Sequence, residues 1–180
     1  MLELIYETHS TTVDNERGLA TGWLPGELSW AGRTLAAELG GRRQDIDAVF
    51  CSDLGRALET VAIAFSGREV PVFYDWRLRE CDYGALNGAP VGELEVEKHV
   101  DVPYPGGESY RDVVARVASF VDDVRARWDG KRVLVVSHAA PRWALQHLVD
   151  GTPLEEVVGA PFDSQPGWTF CVPAASETSL

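Results

Sequence analysis

The fold is decided by a short apolar run that ends in two polar residues, Arg132-Val133-Leu134-Val135-Val136-Ser137-His138. The length of this run and its β-branched residues are typical of a strand buried on both faces of a parallel sheet. Four more short runs resemble it, and we predict strands there as well: residues 2–6, 47–51, 70–74 and 168–172.

Helical periodicity lies between these runs. Apolar residues recur at helical spacing, which predicts helices over residues 30–43, 54–65, 109–128 and 141–149. Ser29 is placed to cap the first of these helices, in which we expect Leu35 and Leu39 to point inward. Strands that alternate with helices predict an α/β fold, a three-layer α/β/α sandwich around a mostly parallel sheet.

The bulk composition sets limits on the class of protein. The 180 residues fit a single domain, which we expect over residues 1–172, with a flexible tail over 173–180. The net charge of −12 argues against nucleic acid or an anionic membrane as a partner. Three widely spaced cysteines and the lack of a signal peptide or a long apolar run favour a cytoplasmic protein without a disulfide framework.

Three candidate functional residues follow or flank the ends of predicted strands. His9 and His138 each come just after one strand, and Arg56 lies in the first turn of the helix that follows another. In open α/β sheets, ligands bind outside the carboxyl ends of the strands, and helix N-termini favour anions. The sequence therefore predicts an anion site that contains two imidazoles.

Short motifs around these residues occur in a recognisable order. Asn15 lies six residues after His9, as in the motif Arg-His-Gly-x-Thr followed by Asn. The other motifs are Leu28-Ser29-Trp30-Ala31-Gly32, Ser52-Asp53-Leu54-Gly55-Arg56-Ala57-Leu58-Glu59-Thr60, Leu78-Arg79-Glu80-Cys81-Asp82-Tyr83-Gly84, Gly106-Gly107-Glu108-Ser109 and the apolar run ending at His138. With these motifs in this order, the chain resembles the histidine phosphatase superfamily, also called phosphoglycerate mutase-like.

The resemblance implies a two-step phosphoryl transfer on a small phosphorylated substrate, with no metal and no other cofactor. His9 would attack phosphorus and become phosphohistidine, Arg56 and His138 would hold the phosphoryl oxygens, and Asn15 would add a hydrogen bond. Glu80 would act as the general acid and then as the base, with Asp82 as the alternative. Thr12, Ser10 and Ala139 complete the predicted phosphate-binding set, although Thr12 and Asn15 could also simply shape their loop.

Three positions depart from the family pattern. Thr8 replaces the arginine before the nucleophile, Ser10 replaces the glycine after it, and Ala139 replaces the glycine that often follows the second histidine. The arginine matters most, because a threonine hydroxyl cannot replace a bidentate, permanently charged guanidinium. We therefore hypothesise that Arg142, or else Arg17 or Arg79, compensates.

The first hypothesis is a phosphomonoester phosphatase that uses a phosphohistidine intermediate on His9, with a homodimer as one option for its assembly. A catalytically weak or inactive protein that binds a phosphorylated ligand is the main alternative, because the motif arginine is missing. A phosphomutase is a third possibility, although the chain lacks the longer insertions of such enzymes. A metallohydrolase with His9, His138 and Asp53 or Glu80 as ligands is the fourth.

Overall fold

The computed structural model describes residues 1–160 and 166–174. A five-stranded sheet in the order β3-β2-β4-β1-β5 forms its centre. Strand β5 pairs with β1 in antiparallel fashion, and the other described pairs are parallel. The strands are β1 (Leu2–Thr8), β2 (Ala48–Cys51), β3 (Val72–Tyr74), β4 (Arg132–Ser137) and β5 (Trp168–Val172).

Helices cover both faces of the sheet, so the predicted three-layer α/β/α sandwich is confirmed. One face carries α2 and α3, which pack on Ile5 and Leu134, and the other carries α4 and α5, which pack on Leu4 and Val133. The helices are α1 (Val13–Glu16), α2 (Trp30–Arg42), α3 (Gly55–Ala64), α4 (Tyr110–Arg127), α5 (Ala139–Asp150) and α6 (Leu154–Val157).

The inward-facing stripe of α2 differs from the prediction at one position. Its buried residues are Gly32, Ala36, Leu39 and Gly40, whereas Leu35 is 44% exposed. Leu35 was expected to point inward, and that prediction is wrong because it lies beside the stripe. The stripe uses glycine for a reason, since a Cβ atom at Gly32 would overlap the carbonyl oxygen of Thr11. This close approach fixes the loop after β1 against α2.

Two long connections lie at the carboxyl ends of the parallel strands. The loop after β1 contains the short helix α1. The connection between β3 and α4 has four 3-10 turns, at Trp76–Leu78, Gly84–Leu86, Val91–Glu93 and Val96–His99. Within the described chain, no helix is long and apolar enough to cross a membrane. Most of the predicted tail, residues 175–180, lies outside the described residues.

Candidate active site

The parallel pairing of β1 and β4 brings the two predicted histidines together. Thr8 is aligned with Ser137 in the last step of the pairing, so the residues that follow them leave the sheet side by side. The backbone N–H of His9 donates to the carbonyl oxygen of Ser137 over 2.8 Å, and the ring centroids of His9 and His138 are 5.0 Å apart.

His9 is held as a neutral ring with its Nε2 atom aimed at a cation. Its Nδ1 atom lies 2.8 Å from the carbonyl oxygen of Ser10, which can only accept, so we place the proton on Nδ1. The Nε2 lone pair then accepts from Nε of Arg56 over 3.2 Å. Desolvation, followed by the Arg56 charge, lowers the pKa of His9 to about 3. An unprotonated imidazole nitrogen beside a fixed cation is the arrangement that a phosphoryl acceptor needs.

Arg56 is almost fully buried, with 2% of its surface exposed. Besides its contact with His9, it donates to the carbonyl oxygen of Gly22 over 2.8 Å and to that of Leu24 over 3.3 Å. Burial lowers its pKa, but an arginine remains charged at any pH at which the protein is folded. The loop after β1 thus contributes two acceptors that hold the guanidinium beside the nucleophile.

His138 is fully buried between strand ends. The hydroxyl of Tyr6 accepts from the His138 N–H over 3.1 Å and donates to its carbonyl oxygen over 2.6 Å, which fixes the backbone. Its Nε2 atom lies 2.8 Å from Oγ of Ser52, and no described residue bonds its Nδ1 atom. Desolvation first, and then the Arg56 charge, holds its pKa well below the usual value. His138 is therefore a neutral ring that can bind an oxygen through a hydrogen bond.

The Glu80 carboxylate lies at the N-terminus of α5, which begins directly after His138. Its Oε1 atom accepts from the N–H groups of Cys81 (2.9 Å) and Ala140 (3.0 Å). Its Oε2 atom accepts from Ala139 over 3.1 Å. These N–H groups are among those that a helix leaves without internal acceptors, and Glu80 supplies the cap that the N-cap residue itself does not. The hydrogen bonds that the described residues give to this carboxylate all come from backbone N–H groups, and they hold it where it lines the cleft.

The backbone of Glu80 is fixed by a second set of contacts. Its carbonyl oxygen accepts from Nε1 of Trp23 over 2.7 Å and from a terminal nitrogen of Arg116 over 2.9 Å. Arg116 in turn donates to both carboxylate oxygens of Glu108, and Oε2 of Glu108 also accepts from the N–H of Asp82. The Gly-Gly-Glu-Ser motif therefore serves to position the general-acid candidate.

Asp82, the alternative acid, has a different environment. Its Oδ1 atom accepts from the N–H of Gly84 over 3.0 Å and from the amide of Asn87 over 2.6 Å. Both bonds shape the turn after Glu80. Asp82 is not among the described residues that line the cleft, whereas Glu80 is, so the geometry favours Glu80 for the acid role.

The loop after His9 is organised by a reciprocal cap. The Thr12 hydroxyl accepts from the Asn15 N–H, and the Asn15 Oδ1 atom accepts from the Thr12 N–H, each over 3.0 Å. Thr12 is fully buried, whereas Asn15 lines the cleft. Ser10 is anchored through its N–H, which donates to Oγ1 of Thr60 over 3.0 Å. Thr12 thus shapes the loop, whereas Asn15 lines both openings with His9, and Ser10 lines the smaller one.

The cleft has two openings that meet at the nucleophile. The larger has a volume of about 560 Å³ and the smaller about 450 Å³. Both are lined by four residues of the predicted set: His9, Asn15, Glu80 and Ala139. Arg56 faces the larger opening and Thr8 the smaller. A phosphoryl group on His9 would therefore lie where the two openings meet.

None of the three arginines proposed to compensate for Thr8 lines either opening within the described chain. Arg79 makes two bonds of 2.7 Å to Asp53, and Arg17 lies at the end of α1. Arg142 is buried, with its guanidinium carbon 4.7 Å from the ring centroid of Trp168. Arg42, at the end of α2, is the arginine that lines the smaller opening together with Thr8 and His9. Sequence reasoning missed Arg42 because it belongs to no motif.

The proposed metal ligands do not form a metal-binding group. In the part of the chain that the structure describes, no three His, Cys, Asp or Glu side chains come together as a metal site. Asp53, one of the suggested carboxylates, is instead paired with Arg79.

Comparison with known proteins places this geometry in context. The sequence model described as "Histidine phosphatase superfamily (branch 1)" matches residues 8–165. A 2,3-bisphosphoglycerate-dependent phosphoglycerate mutase from Methylobacterium sp. is 34% identical over 175 residues, covering 87% of this chain and 84% of the mutase. Phosphoserine phosphatase 1 from Hydrogenobacter thermophilus is 31% identical over 170 residues, covering 87% of this chain and 80% of the phosphatase. The solved structure of Bacillus stearothermophilus YhfR matches with a TM-score of 0.81 and 29% identity, covering 92% of this chain and 88% of YhfR.

Proposed function

Because the chain belongs to the histidine phosphatase superfamily (branch 1), we propose that it is a phosphomonoester phosphatase that works through a phosphohistidine on His9. One observation carries the proposal. The Nε2 atom of His9 bears a lone pair, is held by the Nδ1 bond to Ser10, and lies 3.2 Å from the Arg56 guanidinium. Of the two sequence relatives described above, one carries the name of a phosphatase and the other that of a mutase.

In the first step, Nε2 of His9 attacks phosphorus and the bond to the leaving alcohol oxygen breaks. The Glu80 carboxyl gives its proton to that oxygen, and the alcohol departs. Arg56 and His138 hold the phosphoryl oxygens and stabilise the charge that develops on them. Asn15 adds a hydrogen bond from the loop.

In the second step, water attacks the phosphohistidine while the Glu80 carboxylate removes a proton from it. The nitrogen–phosphorus bond breaks, orthophosphate leaves, and His9 returns to its neutral form. Water, rather than a second alcohol, is the acceptor that we favour. Among the described residues that line the larger opening, Arg56 is the one Lys or Arg. A second phosphate group on the substrate would therefore meet no further cationic lining residue there.

The proposal is tested by turnover of a simple aryl phosphate in the presence of a chelator. The wild-type protein should release phosphate and the His9→Asn variant should not. Rapid quench with labelled substrate should trap one acid-labile, base-stable phosphoryl group per chain, absent from the variant. Turnover without such an adduct would rule out the covalent route.

A phosphate-binding protein without turnover is the second candidate, and one observation favours it. Thr8 supplies no positive charge beside His9, and the terminal nitrogens of Arg56 already donate to the carbonyl oxygens of Gly22 and Leu24. Calorimetric binding of orthophosphate or orthovanadate, combined with no hydrolysis over a panel of esters, would identify this function.

A further inference from the structure

The larger opening has an aromatic wall beyond the nucleophile. Tyr83, Tyr110 and Trp143 line it, and the rings of Tyr110 and Trp143 meet edge to face with centroids 5.5 Å apart. The volume of about 560 Å³ is in the range of pockets that enclose a whole small molecule. Such a wall suits a substrate with a planar or apolar body.

Two carboxylates, Glu95 and Glu97, line the same opening. Glu95 pairs with Lys98 over 2.5 Å, but both side chains are more than half exposed, so water weakens the pairing. No described residue donates a hydrogen bond to the carboxylate of Glu97, which lies against Gly159. The mouth therefore keeps a net negative charge.

Positive charge is scarce along this opening. Among its described lining residues, Arg56 is the one Lys or Arg, and its guanidinium is already bonded to His9, Gly22 and Leu24. Residues 161–165 and 175–180, which the structure does not describe, contain no Lys, Arg or His in the sequence. A substrate with a second anionic group would therefore meet two carboxylates, of which Glu95 alone has a cation beside it, the exposed Lys98.

We propose that Glu95 and Glu97 are specificity-determining residues that restrict the enzyme to phosphomonoesters of uncharged or cationic alcohols with an apolar, preferably aromatic, body. This inference rests on the proposed phosphatase function. It places the discrimination on exposed residues of the opening, where like charges raise the free energy of the bound substrate without altering the phosphoryl site.

The test compares three esters that share one ring: phenyl phosphate, 4-carboxyphenyl phosphate and 4-(aminomethyl)phenyl phosphate. The wild-type kcat/KM should be roughly tenfold lower for the carboxy ester than for phenyl phosphate, and not lower for the amino ester. Glu97→Gln should raise kcat/KM for the carboxy ester by roughly threefold to tenfold, as expected for one charge at the edge of water, and Glu95→Gln/Glu97→Gln should raise it further.

Glu93→Gln is the matched control, because Glu93 is exposed and ends the 3-10 turn just before this segment but does not line the opening. It should leave the ratio of the carboxy ester to phenyl phosphate unchanged. High salt should narrow the wild-type ratio, because screening weakens repulsion between exposed charges.

The possible failures are distinguishable. If phenyl phosphate is hydrolysed but the carboxy ester is hydrolysed equally well, or if Glu97→Gln leaves the ratio unchanged, the inference is wrong and the phosphatase function stands. If no ester is hydrolysed, the phosphatase function fails. Calorimetric binding of phenylphosphonate and 4-carboxyphenylphosphonate then decides the inference, and equal affinities would overturn it.

Discussion

The Nε atom of Arg56 lies 3.2 Å from the Nε2 atom of His9. A guanidinium can only donate, so this contact requires an unprotonated Nε2 atom, in agreement with the proton that Nδ1 shares with Ser10. The nitrogen that would bond to phosphorus is therefore aligned by the same side chain that would later face the phosphoryl oxygens. Arg56 both orients the nucleophile and supplies its nearest positive charge.

We expect Arg56→Lys to be nearly as damaging as Arg56→Ala. A lysine has no fork of donors with which to contact His9, Gly22 and Leu24 at once, and a buried ammonium can lose its proton. The kcat/KM for phenyl phosphate should fall by about 10²–10³ in both variants, as when one oxyanion donor is removed. Arg125→Lys, on the exposed face of α4, is the control. A lysine variant within threefold of wild type would show that the fork of donors is not needed.

The pKa of His9 predicts a specific loss of stability in acid. It is lowered from 6.5 to about 3 on folding, so between these pH values the unfolded chain binds a proton that the folded chain does not. The contribution of neutral His9 to the free energy of unfolding is therefore fully present above about pH 6.5, and it declines as the pH falls toward 3. From pH 7 to pH 5, His9 should account for about 1–2 kcal/mol of lost unfolding free energy, allowing for its partial contact with solvent.

Urea unfolding of wild type and His9→Asn at several pH values measures this difference. The variant should lose less stability than wild type over the same interval, and part of the slope should remain, because burial also lowers the pKa of His138. Parallel curves for the two proteins would mean that His9 is protonated to the same extent in the folded and unfolded chains.

Much of this fold could be predicted from the sequence because its signals are local. The apolar run at β4 and the helical spacing of α3 and α4 each predict one element, and alternation of the elements indicates the sheet. Leu35 was misplaced because the α2 stripe uses glycine and alanine at Gly32, Ala36 and Gly40, whose small size leaves little hydrophobic signal. Tertiary contact, rather than periodicity, sets which side of α2 is buried.

The site residues that follow strand ends could be predicted from the sequence, whereas those placed by the long connections could not. His9 and His138 meet because parallel strands end at one edge, which the order of elements already indicates. Arg42 reaches the site from the end of a helix, and Glu97 reaches it from a 3-10 turn far along the chain. Neither position follows from spacing, because both depend on how the long connections fold over the sheet.

The roles of Glu80 and Asp82 can be distinguished by how strongly the activity of their variants depends on the leaving group. If Glu80 protonates the leaving oxygen, Glu80→Gln should reduce kcat/KM by about 10²–10³ for phenyl phosphate but far less for 2,4-dinitrophenyl phosphate, whose oxygen needs no proton. Asp82→Asn should weaken the turn bonds to Gly84 and Asn87, lower the stability and leave this dependence unchanged. A steeper dependence on leaving-group pKa in Asp82→Asn, and not in Glu80→Gln, would reverse the assignment.

Thr8→Arg should add a positive charge beside His9 and increase activity. Thr8 lines the smaller opening of about 450 Å³ beside His9, so a guanidinium has room to reach a phosphoryl group there. We expect kcat/KM to rise roughly tenfold or more and orthovanadate to bind more tightly, whereas Thr8→Gln, similar in length but uncharged, should do neither. Arg42 lines the same opening, and its guanidinium lies 3.8 Å from the buried carboxylate of Glu7, while the Arg42 side chain itself is 39% exposed. If it now supplies part of that charge, Arg42→Ala should lower kcat/KM in wild type and have a smaller effect in the Thr8→Arg background. Equal losses in both backgrounds would show that Arg42 acts independently of the charge at position 8.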